Sequence, residues 1–293
     1  MSDNISAAII GGSAGFKFLQ RRNDLKCLGT IVTPFGESVP VHRGVSDGVG
    51  FYFMSRHGES GYNTTASFVN YRANIWALKE LGVKHIVAWS GPAAIDPSIK
   101  IGEIVLPGDL VDETKRRDYT FFDGLGYGFI RQNPVFCGEL TAVMAETVVK
   151  RQGNCRRDDV YICTEGPRLE TSAEIRKFAG YGGGLVGMTL VPEVFLAKEL
   201  EMCYTMACYV TNYAEGVRER AFREGVLFEG LLDVDDADVV SFAEDEVAEI
   251  ALTVAVRSAD LMRNCKCAVQ MERYRRRGDI SDDWHTWILS WKS

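Results

Sequence analysis

Short apolar runs recur along this chain, and most of them end in glycine or a small polar residue. Residues 7–10 run into Gly11-Gly12, 51–54 into Ser55-Arg56-His57-Gly58, and 86–89 into Ser90-Gly91. Residues 104–106 and 160–163 form two more runs, and 206–210 lead into Thr211-Asn212. Their length and β-branching predict buried strands. Helical spacing fills the gaps. Over 71–81 it places Ile75, Leu78 and Leu81 on one face, with Gly82 as the stop. Residues 139–151 end before Gly153, and 171–179 carry Thr171 and Glu174 in capping-box spacing. Residues 192–201 have a proline in the first turn, and 242–261 form a long amphipathic stretch. Strands alternating with helices predict one α/β domain, with a mixed, mostly parallel sheet flanked by helices.

The pattern changes after residue 267. The run RYRRR (273–277) reads as a solvated segment, and Trp284, Trp287 and Trp291 follow it. Three indoles are too large to stay exposed without cause. Residues 1–267 are therefore read as the domain. Residues 268–293 are read as an arm that docks on its own body or on a neighbouring subunit.

Composition narrows the function classes. The chain has 293 residues, 46% hydrophobic and 25% charged, which suits a globular protein with a large core. A net charge of −7 argues against non-specific nucleic-acid binding, which needs a basic face. No apolar run reaches the ~18 residues of a membrane span. The first residues show neither the basic nor the apolar region of a secretory signal, so a cytoplasmic location is expected. Eight cysteines are scattered without the spacing of a disulfide framework. Cys265 and Cys267 form the one close pair, and no second close pair completes a zinc site. They are expected to be reduced thiols or a local redox pair, and no metal is expected.

In open α/β sheets ligands sit beyond the carboxyl ends of strands. Ser13, Arg56, His57, Ser90 with the Gly91 N–H, and Thr189 all lie just after apolar runs or in the Gly187-Met188-Thr189 turn. Hydroxyls, a guanidinium and an imidazole suit an oxyanion such as phosphate. The same Arg56-His57 pair also suits a buried arginine–carboxylate pair beside a structural histidine. The segment GGSAG lacks the spacing of a dinucleotide fingerprint. A second constellation joins EGPRLET (165–171) with Thr211-Asn212-Tyr213. There Glu170 could equally cap a helix and Asn212 could equally serve a turn.

Several long segments resemble one family. NYRANIWALKELGV (70–83), EGPRLETSAE (165–174) and GMTLVPEVFLAKELEMCY (187–204) stand in order with TPFG (33–36), SRHG (55–58) and LPGDLVDETKRRDYTFF (106–122). Together they closely resemble the trimeric purine nucleoside phosphorylase and methylthioadenosine phosphorylase family, over residues 7–267. RNCKC (263–267) resembles a feature of some microbial members. The resemblance implies a pentosyltransferase with a single-domain nucleoside-phosphorylase fold, assembled as a homotrimer and serving purine salvage. Inorganic phosphate would be co-substrate, with no cofactor, metal, nucleic acid or membrane partner. By position, Ser13, Arg56, His57, Ser90, Gly91 and Thr189 are implied as phosphate ligands. Met188 would lie under the sugar, and Glu170 and Asn212 would read the base. His57, Glu170 and Asn212 are the implied catalytic residues.

The base readers look like those of a purine nucleoside phosphorylase. Methylthioadenosine phosphorylases commonly have Ser in place of Glu170 and Asp in place of Asn212. A carboxylate can accept from the N1–H of a 6-oxopurine and would repel the bare N1 of adenine. Two features depart from the family. The segment 59–69 lacks the histidines and prolines of the methylthioadenosine branch, and Pro92 follows Gly91. The expectation is phosphorolysis of inosine, guanosine or methylthioinosine. The alternatives are a methylthioadenosine phosphorylase with altered base contacts and a non-catalytic purine-nucleoside-binding relative. Retention of the implied phosphate ligands argues against the last.

Overall fold

A computed structural model describes residues 5–232 and 236–289. Every residue of β1 (Ala7–Gly11) is buried, because helices cover both faces of the sheet it threads. The chain continues through α1 (Gly15–Arg21), β2 (Lys26–Gly29), β3 (Val32–Thr33), β4 (Gly36–Glu37), β5 (Val41–Ser46) and β6 (Val49–Ser55). Next come α2 (Tyr71–Glu80), β7 (His85–Ser90), β8 (Ala93–Ala94), β9 (Ile104–Glu113), α3 (Gly138–Gln152) and β10 (Arg156–Thr164). Then follow α4 (Ser172–Gly180), β11 (Gly183–Gly187), α5 (Glu193–Glu199), β12 (Cys203–Tyr209) and β13 (Asn212–Tyr213). The described chain closes with α6 (Ala237–Ser258), α7 (Glu272–Arg277) and α8 (Thr286–Leu289).

Eleven strands form one sheet in the order β13-β8-β11-β10-β9-β12-β7-β1-β6-β5-β2, while β3 and β4 pair separately. At its centre β12, β7, β1 and β6 run parallel, so Gly11 lies beside Ser55 and Cys208 beside Ser90. The direction reverses where β9 meets β12. The fold is thus the mixed α/β sheet that the sequence predicts.

Period-two alternation sorts the core. In β1, Ala7 and Ile9 join Leu140, Met144 and Val247 from α3 and α6 on one face. Ala8 and Ile10 join Ile75, Trp76, Leu196 and Met271 on the other. The predicted capping box exists, with Thr171 and Glu174 satisfying each other's backbone N–H groups. Pro192 stands just before α5 rather than inside its first turn. Strand β11 escapes the hydrophobic pattern because three of its five residues are glycine. Strands β2 and β5 escape because Lys26, His42 and Arg43 interrupt their apolar positions.

The arm docks on its own body. Trp287 is 1% exposed, and its indole N–H donates to the Ser281 carbonyl at 2.8 Å. Trp284 meets Trp76 of α2 edge-on, with ring centroids 4.5 Å apart. Glu201, buried after α5, accepts from the Met271 N–H at 2.9 Å and from the Arg275 guanidinium. Arg275 in turn stacks 5.0 Å from the Trp287 ring centroid. The charge run is therefore split: Arg275 is committed to the body, while Arg276 and Arg277 pair with Glu272 and Asp279 near solvent. Trp291 lies outside the described residues.

Burial this deep makes the arm part of the cooperative core. Trp287→Ala is expected to lower unfolding stability by about 3–5 kcal/mol, read from the urea midpoint at unchanged slope.

Candidate active site

The carboxyl ends of β1, β6 and β7 are drawn together by a close backbone approach. A Cβ on Gly12 would lie 2.4 Å from the Trp89 carbonyl oxygen, so only glycine lets the turn after β1 lie against the end of β7. The Arg56 N–H donates to the Gly11 carbonyl at 3.0 Å, fixing the end of β6 to the same turn.

Arg56 is fully buried. Its Nε and Nη2 donate to the two carboxylate oxygens of Glu193 at 2.6 and 2.7 Å. Tyr204 donates its hydroxyl to the same carboxylate at 2.7 Å. Burial alone would lower the guanidinium pKa, but the Glu193 carboxylate outweighs it and raises the pKa further. Of the two sequence alternatives for Arg56, the buried arginine–carboxylate pair is present, and the residue stands just past the end of β6. One Nη1–H reaches the Trp89 carbonyl at 3.4 Å. The fork formed by Nη1 and Nη2 remains the side on which an oxyanion can be met. Ser90 Oγ lies 3.0 Å from Thr189 Oγ1 and 3.4 Å from the Tyr161 hydroxyl, so two of the predicted hydroxyls form one pair. Ser13 follows the Gly11-Gly12 turn after β1, and Gly91 packs against the Tyr209 phenol, whose Cζ would lie 2.8 Å from a Cβ there.

His57 is 3% exposed, and its Nδ1 lies 2.9 Å from the Thr64 carbonyl oxygen. A carbonyl only accepts, so Nδ1 carries the proton and Nε2 presents a lone pair. Burial first, then the Arg56 cation, push the imidazole pKa down to about 4 against the opposing Thr64 bond. His57 is thus a neutral acceptor rather than a second positive charge.

Of the residues expected to face the base, Glu170 follows β10, while Asn212 lies in the edge strand β13, paired with Ala93 of β8. Glu170 Oε1 accepts from the Thr164 hydroxyl at 2.5 Å. A cavity of about 710 Å³ opens beside it, lined by Ser67, Phe68, Thr164, Gly166 and Glu170. This is room enough for a nucleoside. Met188 packs against Gly166, where any side chain would lie 2.4 Å from its sulfur. Asn212 is buried, donates to the Tyr213 carbonyl at 2.9 Å and accepts from Thr211 at 2.7 Å. Glu170 and Asn212 are each held within their own segments, and Asn212 keeps one N–H for a ligand.

Arg117 was not read as a site residue, yet it ties this region together. It is buried and donates to the carbonyls of Met188, Thr164 and Glu165 at 2.6, 3.0 and 2.8 Å. It also donates to Val191. Nothing in KRRD (115–118) separates it from its exposed neighbours. Glu193 left a fainter trace, as a lone carboxylate inside an apolar stretch.

The neutral state of His57 carries a pH signature. The unfolded chain binds its proton below about pH 6.5, while the folded chain resists protonation down to about 4. Stability is therefore full above pH 6.5 and falls as the pH drops towards 4. The loss from this one group is on the order of 3 kcal/mol. Urea unfolding of wild type and His57→Gln at pH 7 and pH 4 should show the variant losing less over that interval.

Comparison with known proteins agrees with this geometry. The chain is 37% identical over 240 residues to a 6-oxopurine nucleoside phosphorylase of Pyrococcus furiosus, covering 80% of this chain and 88% of that protein. It is 36% identical over 261 residues to an S-methyl-5′-thioadenosine phosphorylase of the same organism, covering 89% and 95%. Its structure resembles that of a methylthioadenosine phosphorylase from an antarctic soil metagenomic library, with TM-score 0.83, 26% identity and 99% of each chain covered. The family model described as the phosphorylase superfamily matches residues 7–252. With its strand ends, ion pair and base-side cavity arranged in this way, the chain belongs to the phosphorylase superfamily, among its purine nucleoside and methylthioadenosine phosphorylases.

Proposed function

We propose that this protein catalyses phosphorolysis of a 6-oxopurine nucleoside. The observation that carries the reading is Arg56, a charge kept in the core by Glu193 that reaches the carbonyl of Trp89, the residue before Ser90 of the Ser90–Thr189 hydroxyl pair. A phosphate dianion there would be met by a charge-assisted fork and two hydroxyls, with water largely excluded. A phosphate oxygen bonds to C1′ as the C1′–N9 bond breaks, and the departing purine anion takes up the proton that hydrogen phosphate gives up, giving pentose 1-phosphate and free base. The transition state spreads positive charge over the sugar and negative charge over the departing purine. His57 Nε2 would accept from a hydroxyl of hydrogen phosphate or of the sugar. Ser13 and Gly91 would border the anion, and Met188 would lie under the sugar.

Glu170 accepts from the N1–H of hypoxanthine or guanine, and the free N–H of Asn212 stabilises the leaving base at N7 or O6. Sequence similarity to a 6-oxopurine nucleoside phosphorylase supports this choice. The structural likeness to a methylthioadenosine phosphorylase supports a body that takes either a hydroxyl or a methylthio group at the 5′ position. None of the eight cysteines is in a disulfide. We read the protein as a homotrimer serving purine salvage, on the family resemblance.

Two measurements test the reading. Thr189→Val removes one hydroxyl of the pair, and the KM for phosphate should rise about tenfold while the fold is retained. An unchanged KM would remove Thr189 from the anion site. Wild type should turn over inosine at a specificity constant on the order of 10³-fold above adenosine, and Glu170→Ser with Asn212→Asp should narrow that ratio. Faster cleavage of adenosine or methylthioadenosine by the wild type would transfer the assignment to the methylthioadenosine branch.

A further inference from the structure

Four cysteines that are far apart in sequence converge away from the anion and base pockets. Cys137 stands at the residue before α3, Cys203 opens β12, and Cys265 and Cys267 follow α6 where the chain enters the arm. Their four sulfurs all lie within 4.8 Å of one another, and Cys203 and Cys265 are 3.4 Å apart. Zinc–thiolate bonds are ~2.3 Å long, so a tetrahedral site requires sulfurs about 3.8 Å apart. The cluster already has that scale.

The surroundings suit a charged metal centre. Zinc with four thiolates carries a net charge of −2, which needs nearby cations or N–H donors in a protein interior. The ammonium of Lys198 is buried, donates to the Arg131 and Pro134 carbonyls at 3.1 and 2.8 Å, and interacts electrostatically with Cys267. His85 is 2% exposed and stands beside Cys203 in the β7–β12 register, yet neither of its ring nitrogens has a hydrogen-bond partner among the described residues. An orphaned N–H next to a thiol is what a metal-bound thiolate would accept from.

We propose that Cys137, Cys203, Cys265 and Cys267 form a structural zinc site that fastens the start of the C-terminal arm to the body. Four protein ligands close the tetrahedron and leave no position for water or substrate, so the site is structural. The sequence alone gave no sign of it, because the CxC pair finds its partners about 130 and 60 residues upstream, too far apart for any ligand spacing to register.

The test is metal content, which does not depend on nucleoside turnover. The intact protein is incubated with zinc sulfate, desalted and analysed by elemental mass spectrometry. Wild type and Cys155→Ser should retain one zinc per chain, and the double variant Cys265→Ser, Cys267→Ser should retain none. Should that double variant fail to fold, cobalt(II) replaces zinc in the wild type. Tetrahedral d–d bands with sulfur-to-cobalt charge transfer then support the site, and their absence overturns it. The proposal is also overturned if wild type binds no zinc, if the folded double variant keeps its zinc, or if intact mass shows two hydrogens lost per disulfide among these four residues.

Discussion

The ion pair between Arg56 and Glu193 is the interaction on which the rest of this architecture turns. A guanidinium with no exposed surface is tolerable only if its charge is matched, and both carboxylate oxygens of Glu193 do so, with Tyr204 as third partner. Removing either member of such a buried pair typically costs about 3–5 kcal/mol, because the other charge is stranded. Arg56 follows β6, Glu193 opens α5 and Tyr204 lies in β12, so the pair links three parts of the fold at one point. The positive charge offered to an anion is therefore set by the packing of the whole domain rather than by a mobile surface side chain.

Around that point the chain divides its work between two kinds of attachment. The strand ends are joined by backbone contacts, Gly12 against Trp89 and Arg56 against Gly11, which leave little freedom. The base side is joined by one side chain. Arg117 grips the carbonyls of Thr164 and Glu165, which line the cavity, and those of Met188 and Val191, between β11 and α5. It touches the walls of the pocket and acts through them as a positioning residue.

Much of the framework was legible in the sequence because it follows periodicity. Buried apolar runs marked β1, β6, β7, β10 and β12, and the Thr171–Glu174 spacing marked the start of α4. Strand β11 was not legible, since glycine carries no pattern, and its existence depends on neighbours that need close approach. Ser13, Arg56, His57 and Ser90 could be singled out because each stands at or just past the end of a legible strand, whereas Thr189 was singled out from its turn. Their supports could not. Glu193, Tyr204, Tyr161 and Arg117 are ordinary residue types whose roles arise only when distant segments meet. The neutral state of His57 was equally hidden, because it depends on the Thr64 carbonyl and on the burial around the ring.

The local anchoring of Glu170 and Asn212 bears on how such a protein can diversify. Glu170 leans on Thr164, and Asn212 leans on Thr211 and Tyr213, so neither supports an element outside its own neighbourhood. On the proposed assignment, the anion half of the pocket is fused to folding, while the base half is nearly detached from it. Mutational drift can explore new bases at little risk to the folded state, whereas drift at Arg56 or Glu193 is removed by misfolding before any new chemistry is sampled. A lineage built this way would radiate in the nucleobase it accepts and stay frozen in the anion it uses.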